Sequence, residues 1–141
     1  MQTTTDITAG ATAGSMPVRS EQDIVLTRQL VRKLTQQIKF SLVDQTKMIT
    51  AASELSRNTL VYGRGGEMRW ELVTQGVKTG LKLAFEDQGP GIPDLDLALT
   101  DGWTSGGGLG MGLSGSKRLV NDFHIRTGPG EGTCVTITRW K

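Results

Sequence analysis

The chain has 141 residues, 36% of them hydrophobic, with 16 lysines and arginines against 14 acidic residues for a formal net charge of +2. That length and apolar fraction suit one domain with one core, while scattered charge and only 5% aromatic residues argue against a nucleic-acid partner. A single cysteine, Cys134, rules out an internal disulfide and a cysteine-rich metal site and suits a reducing cytoplasm; no apolar run approaches the roughly 20 residues that span a bilayer, and no signal-peptide pattern opens the chain.

Residues 1–16, MQTTTDITAGATAGSM, are mostly Thr, Ala and Gly with little to bury, which predicts a disordered tail ahead of a single domain over 17–141. A short extended piece at Pro17 to Arg19 then meets Ser20, an N-cap with Asp23 three residues on, in the manner of a capping box. Leu30, Val31, Leu34 and Ile38 recur at helical spacing, so a first amphipathic helix is expected over about 21–39. A second is expected from Ser41–Asp44 to Tyr62, with Met48, Ala52, Leu55, Thr59 and Tyr62 on one face and Gly63 ending it.

From Glu67 the period changes to two. Met68, Trp70 and Leu72 alternate with polar residues, as do Leu81, Leu83 and Phe85 after a turn expected near Lys78–Gly80, which predicts a hairpin. A loop with a short helical turn, Asp94–Leu99, leads to the glycine run Gly106 to Gly112 and a third helix carrying Leu113, Leu119, Val120 and Phe123. Extended chain at His124–Arg126, a Gly-Pro-Gly-Glu-Gly turn and a final strand Thr133–Trp140, with Val135 and Ile137 on one side, complete the order. The fold class expected is α+β: a two-layer sandwich with helices on one face of a mixed, mostly antiparallel sheet.

Three local features bear chemistry. Glu54 and Asn58 are four residues apart on the second helix, within about 40° of each other. Such a pair serves a solvated helix flank; it also places an amide oxygen for Mg²⁺ beside a carboxylate that takes a proton from an attacking hydroxyl. Asp87-Gln88-Gly89-Pro90-Gly91 follows a strand, and is either a tight turn with Pro90 setting its angles or a carboxylate for an exocyclic amine beside two glycines that admit a flat ring. Gly106-Gly107-Gly108-Leu109-Gly110-Met111-Gly112 runs into a helix, where side-chain-free amides at a helix N-terminus form an anion site. It lacks the Gly-Lys-Ser/Thr of a Walker A loop and does not directly follow a strand as a dinucleotide fingerprint does. A linker is the alternative, although Leu109, Met111 and Leu113 are unusual in one.

Taken together, Glu-x-x-x-Asn on a helix, Asp-x-Gly-x-Gly after a strand, Gly-x-Gly-x-Gly before a helix and Gly132-Thr133 opening the last strand resemble the GHKL (Bergerat-fold) ATPases over roughly residues 20–140. The stretches SLVDQTKMITAASELSRNTLVYGRG, EDQGPGI and GGGLGMGLSGSKRLVNDF are most similar to the anti-sigma-type serine/threonine kinases of the RsbT group. The resemblance implies ATP and Mg²⁺ as cofactors, with Glu54 as general base, Asn58 as the Mg²⁺ ligand and Asp87 as the adenine contact. It further implies Gly89 and Gly91 facing the ring, Gly108, Gly110, Met111 and Gly112 in a phosphate lid, and Thr133 holding an adenine-bound water. The implied partner is a STAS-domain antagonist as phosphoacceptor, with a PP2C-type phosphatase or sigma factor as further partners. A nucleotide-gated binding module with little catalysis is the alternative within the same resemblance. Lys117 and Arg118 suit solvated helix positions as well as a γ-phosphate, His124 lies too late to be an autophosphorylated histidine, Cys134 reads as a small buried hydrophobe, and Trp103 as a partner contact or a hydrophobic plug.

Overall fold

A computed structural model of the protein describes residues 11–92, 99 and 109–141. Eight elements follow one another: β1 (Ala13–Val18), α1 (Glu21–Gln37), α2 (Leu42–Val61), β2 (Gly66–Gln75), β3 (Lys78–Asp87), α3 (Leu109–Arg118), β4 (Asp122–Thr127) and β5 (Thr133–Trp140). The five strands form one sheet in the order β1-β2-β3-β5-β4. Every pairing in it is antiparallel, so a sheet expected to be mixed has no parallel pair among the described strands.

Strand alternation decides which face is buried. Met68, Trp70, Leu81, Leu83, Phe85, Val135 and Ile137 point into the core beneath the helices, while Glu67, Arg69, Glu71 and Lys82 face outward. On that outer face Arg69 reaches Glu86 at 2.7 Å, and Arg126 reaches the same carboxylate at 3.4 Å. Such exposed pairs stabilise by at most about 1 kcal/mol. Burial in the core contributes more, about 1.5–3 kcal/mol for each large apolar side chain taken fully out of water. The α2 helix is the keystone, resting on β1, β2 and β3 and packing α1 on one flank and α3 on the other.

Both long helices start as their sequences require. The Ser20 and Ser41 hydroxyls accept from the amides of Asp23 and Asp44, at 3.2 and 3.1 Å. Asp23 completes its box one residue early, accepting from Arg19 N at 2.8 Å instead of from Ser20.

Four expectations shift. The third helix, expected to carry Leu113, Leu119, Val120 and Phe123, ends at Arg118, because Asn121 N donates to Thr138 O and turns the chain into β4, which holds Phe123. The expected tail loses its last residues to β1, which begins at Ala13 and buries Met16 to 1% exposure. Small side chains suffice there because Trp70 on β2 supplies the bulk, its ring lying 2.8 Å from where a Cβ on Gly14 would sit. The hairpin turn falls at Gly76-Val77, not at Lys78–Gly80, because Gly76 takes φ +61 and Gln75 pairs with Lys78. Gly80 stays in the strand, where the Trp140 ring occupies the space of its missing side chain. Cys134 is half-buried on the outer face, 3.9 Å from an Arg69 nitrogen, and not in the core. Of the remaining expectations, Trp103, Gly108 and all but Leu99 of the turn at 94–99 lie outside the described residues.

Candidate functional site

The last turn of α2 sets the site. Asn58 O accepts from the amides of Tyr62 and Gly63, at 3.0 and 3.1 Å, and the chain then reverses through Arg64 and Gly65 at φ +62 and +98. This reversal presses Gly63 against the end of β3. A Cβ on Gly63 would lie 2.2 Å from Asp87 Cγ and 2.4 Å from Asp87 Cβ, so only glycine lets α2 close onto that carboxylate. From sequence Gly63 is a helix stop alone; its second role is visible only where two distant segments meet.

Asp87 lies on the helix-facing side of β3 with 8% of its surface exposed. Its Oδ1 accepts from Gly89 N at 2.9 Å. Burial pushes its pKa up, the backbone amides of Gly89 and Thr133 pull it down, and neighbouring Glu86 adds to the rise, with a net shift upward. Among the described residues no cation pairs with Asp87. A buried carboxylate with no countercharge is costly unless a donor reaches it. Cavities of about 530 Å³ and about 300 Å³ open beside it, the first toward Arg19 and Arg64, the second toward Arg126 and Thr133.

The loop after Asp87 is held by backbone contacts. Pro90 O accepts from Gly130 N at 2.8 Å, and Ile92 N donates to Thr127 Oγ1 at 2.9 Å. Gly91 takes φ +79, and a Cβ there would fall 2.0 Å from Gly128 O. The Cβ direction at Gly89 runs into the backbone of Gly63, at 2.8 Å from its Cα. In the structure, then, the requirement for glycine at 89 and 91 is met by close approach of main chain to main chain. Thr133 sits opposite Asp87 in the β3–β5 register, its hydroxyl 2.9 Å from that of Thr127. Thr127, absent from the residues singled out by sequence, therefore ties the Asp87 loop to Thr133; its only signal was a hydroxyl at a strand end before a glycine-rich turn.

Of the α2 pair, Glu54 is exposed and Asn58 half-buried. Asn58 Nδ2 and the Tyr62 hydroxyl, one turn apart, are buried atoms without a hydrogen-bond partner among the described residues. Asn58 Nδ2 is thus not spent on any described residue, which fits a donor's role toward a ligand. Among the described residues no group of three His, Cys, Asp or Glu is placed to hold a metal. An ion held by one amide oxygen together with ligand phosphates needs no such cluster. Gly110, Met111 and Gly112 belong to the opening turn of α3, the end of a helix that offers free amides. Lys117 and Arg118 are exposed near the other end of α3, and His124 is exposed on β4. The structure therefore brings Asn58, Asp87, Gly89, Gly91 and Thr133 to one end of the sheet beneath the helices.

The comparisons agree with this geometry. The model of the histidine kinase-, DNA gyrase B- and HSP90-like ATPases matches residues 43–141. Serine/threonine-protein kinase RsbT of Bacillus subtilis is 44% identical over 123 residues, 87% of this chain and 92% of the relative. An anti-sigma F factor of Thermoanaerobacter is 25% identical over 125 residues, 84% of this chain and 86% of the relative. In structure, a crystallised Mycobacterium tuberculosis protein described by its RsbU and RsbW domains superposes with a TM-score of 0.59 at 17% identity, covering 90% of this chain and 33% of the longer one; that likeness concerns the fold alone. With fold and matches in agreement, the chain belongs to the histidine kinase-, DNA gyrase B- and HSP90-like ATPase family.

Proposed function

We propose that the protein is an ATP-dependent serine/threonine kinase of the RsbT type, acting in the cytoplasm on a small STAS-domain antagonist in a partner-switching module. The observation that carries this reading is the buried Asp87 carboxylate, without a countercharge among the described residues, pressed against the end of the helix that bears Glu54 and Asn58. An exocyclic amine of adenine is the donor that offsets its burial. The acceptor hydroxyl oxygen attacks the γ-phosphorus, the bond to the bridging β–γ oxygen breaks, ADP leaves, and Glu54 takes the hydroxyl proton. Mg²⁺, when bound, offsets phosphate charge, with Asn58 Oδ1 as its protein ligand. The amides at the start of α3 face the phosphates, Gly110 and Gly112 among them. Once its antagonist is phosphorylated, the kinase is free to engage a further partner such as a PP2C-type phosphatase.

The test incubates the protein with Mg²⁺, labelled ATP and a STAS-domain protein from the same organism. Acid-stable label on that protein, reduced by about 100-fold or more in Glu54→Ala while ATP still binds, is the expected outcome. Full transfer by the variant would remove Glu54 from the reaction, and a stable complex without label would make the protein a nucleotide-gated binding module.

A further inference from the structure

The kinase reading leaves open where the phosphoacceptor sits. Residues 24–53 carry five basic residues, Arg28, Arg32, Lys33, Lys39 and Lys47, against the single acid Asp44. Asp44 is already paired with Arg139. Arg28, Arg32, Lys33 and Lys39 are all exposed, and none has an ion pair among the described residues. Helix geometry gives them a direction. Glu21, Arg28 and Arg32 are spaced seven and four apart, so they share one flank of α1, and Glu21 reaches Arg57 of α2 at 3.4 Å. That flank therefore faces the outer surface of α2. There, Val43, Thr50, Glu54, Arg57 and Val61 are exposed at spacings of seven, four, three and four, one stripe on the helix. Val43 and Val61 are 62% and 53% exposed.

Resting on the kinase reading, we propose that the outer face of the α1–α2 hairpin is the docking surface for the phosphoacceptor, which meets Arg28 and Arg32 with an acidic patch and Val43 and Val61 with apolar groups. Three observations select this occupant. No described residue pairs with these cations, which leaves them to complement negative charge on a partner. The exposed valines at the ends of the stripe are what a protein interface contains and a nucleic-acid groove does not use. Glu54 stands in the middle of the same stripe, so a partner seated here delivers its hydroxyl to the carboxylate that takes the proton. The surface lies outside the Asp87 pocket, which separates acceptor recognition from nucleotide binding.

The doubly reversed variant Arg28→Glu/Arg32→Glu tests this against wild type, with the same STAS-domain protein as acceptor. The expected result is a rise of at least about tenfold in KM for the acceptor with kcat within about twofold, and an unchanged Kd for ATP. Wild-type KM should rise with added salt, and the variant's should respond less. Unchanged KM and salt response in a variant that melts like wild type would overturn the proposal. If wild type transfers no label, the kinase reading fails, and calorimetry of the same pair decides the surface: binding lost on reversal supports it, and binding retained, or none in wild type, overturns it. Sedimentation with phosphatidylserine vesicles that depends on the two arginines, with acceptor KM unaffected, would assign the face to lipid and overturn it too.

Discussion

The two ends of the sheet carry two carboxylates whose ionisation is displaced in opposite directions. At the α2 N-terminus, Asp44 accepts a hydrogen bond from Arg139 of β5, which holds its carboxyl below the ordinary range, and the same guanidinium donates to Leu119 O at 2.9 Å. At the other end, Asp87 is buried with no cation paired to it among the described residues, and its pKa is raised. The first carboxylate is spent on structure: one arginine ties α2, the segment after α3 and the last strand together. The second is held at a cost that the described residues offset only in part, through the backbone amides of Gly89 and Thr133. Where a fold satisfies its own charge it is building itself; where it leaves a buried charge unmatched it is prepared for something that is not part of the chain.

Breaking the glycine end should have the largest effect. Gly91→Ala puts a methyl carbon 2.0 Å from Gly128 O at a φ of +79, and a loss on the order of 4 kcal/mol in denaturant unfolding is expected. Gly63→Ala drives a Cβ into Asp87 and not into backbone, so the cost should appear in function: ATP affinity falls by about 100-fold by calorimetry while stability drops by about 1–3 kcal/mol.

The structural end responds more mildly. Arg139→Met removes a pair whose members are 15% and 26% exposed, and should lower stability by about 1–2 kcal/mol near neutral pH. Because the folded pKa of Asp44 is depressed, its contribution is present above the ordinary carboxylate range and lost as pH falls through the folded value. Thermal melts of the variant should therefore lose part of the wild-type drop in stability at acid pH.

The smallest expected change in stability is also the sharpest contrast. With its folded pKa raised, Asp87 lowers stability as pH climbs from the ordinary carboxylate range through that raised value. Asp87→Asn should be as stable as wild type or about 1 kcal/mol more stable at neutral pH, without that decline, yet bind ATP about tenfold more weakly. A variant less stable at neutral pH would mean that the carboxylate serves the fold.

Much of this was legible in sequence because it depends on local periodicity and local chemistry. Apolar spacing located α1 and α2, Ser20 and Ser41 marked their starts, and alternation located β3 and β5, the latter to the residue. The boxes around Glu54, Asn58, Asp87 and Thr133 identified the family because their residue types and order recur together. What local pattern could not supply was the effect of distant bulk. Met16 and Gly14 form a strand because Trp70 lies across from them, and Gly80 stays in β3 because Trp140 fills its place.

By itself, then, the sequence determined the element types and the family, since each follows from spacing and side-chain type along the chain. Only the tertiary structure decided that Gly63 seats Asp87, that Thr127 joins the Asp87 loop to Thr133, and that Glu21 of α1 meets Arg57 of α2. These are contacts between residues up to 36 positions apart, set by which backbones approach each other, and no short window of sequence contains both sides.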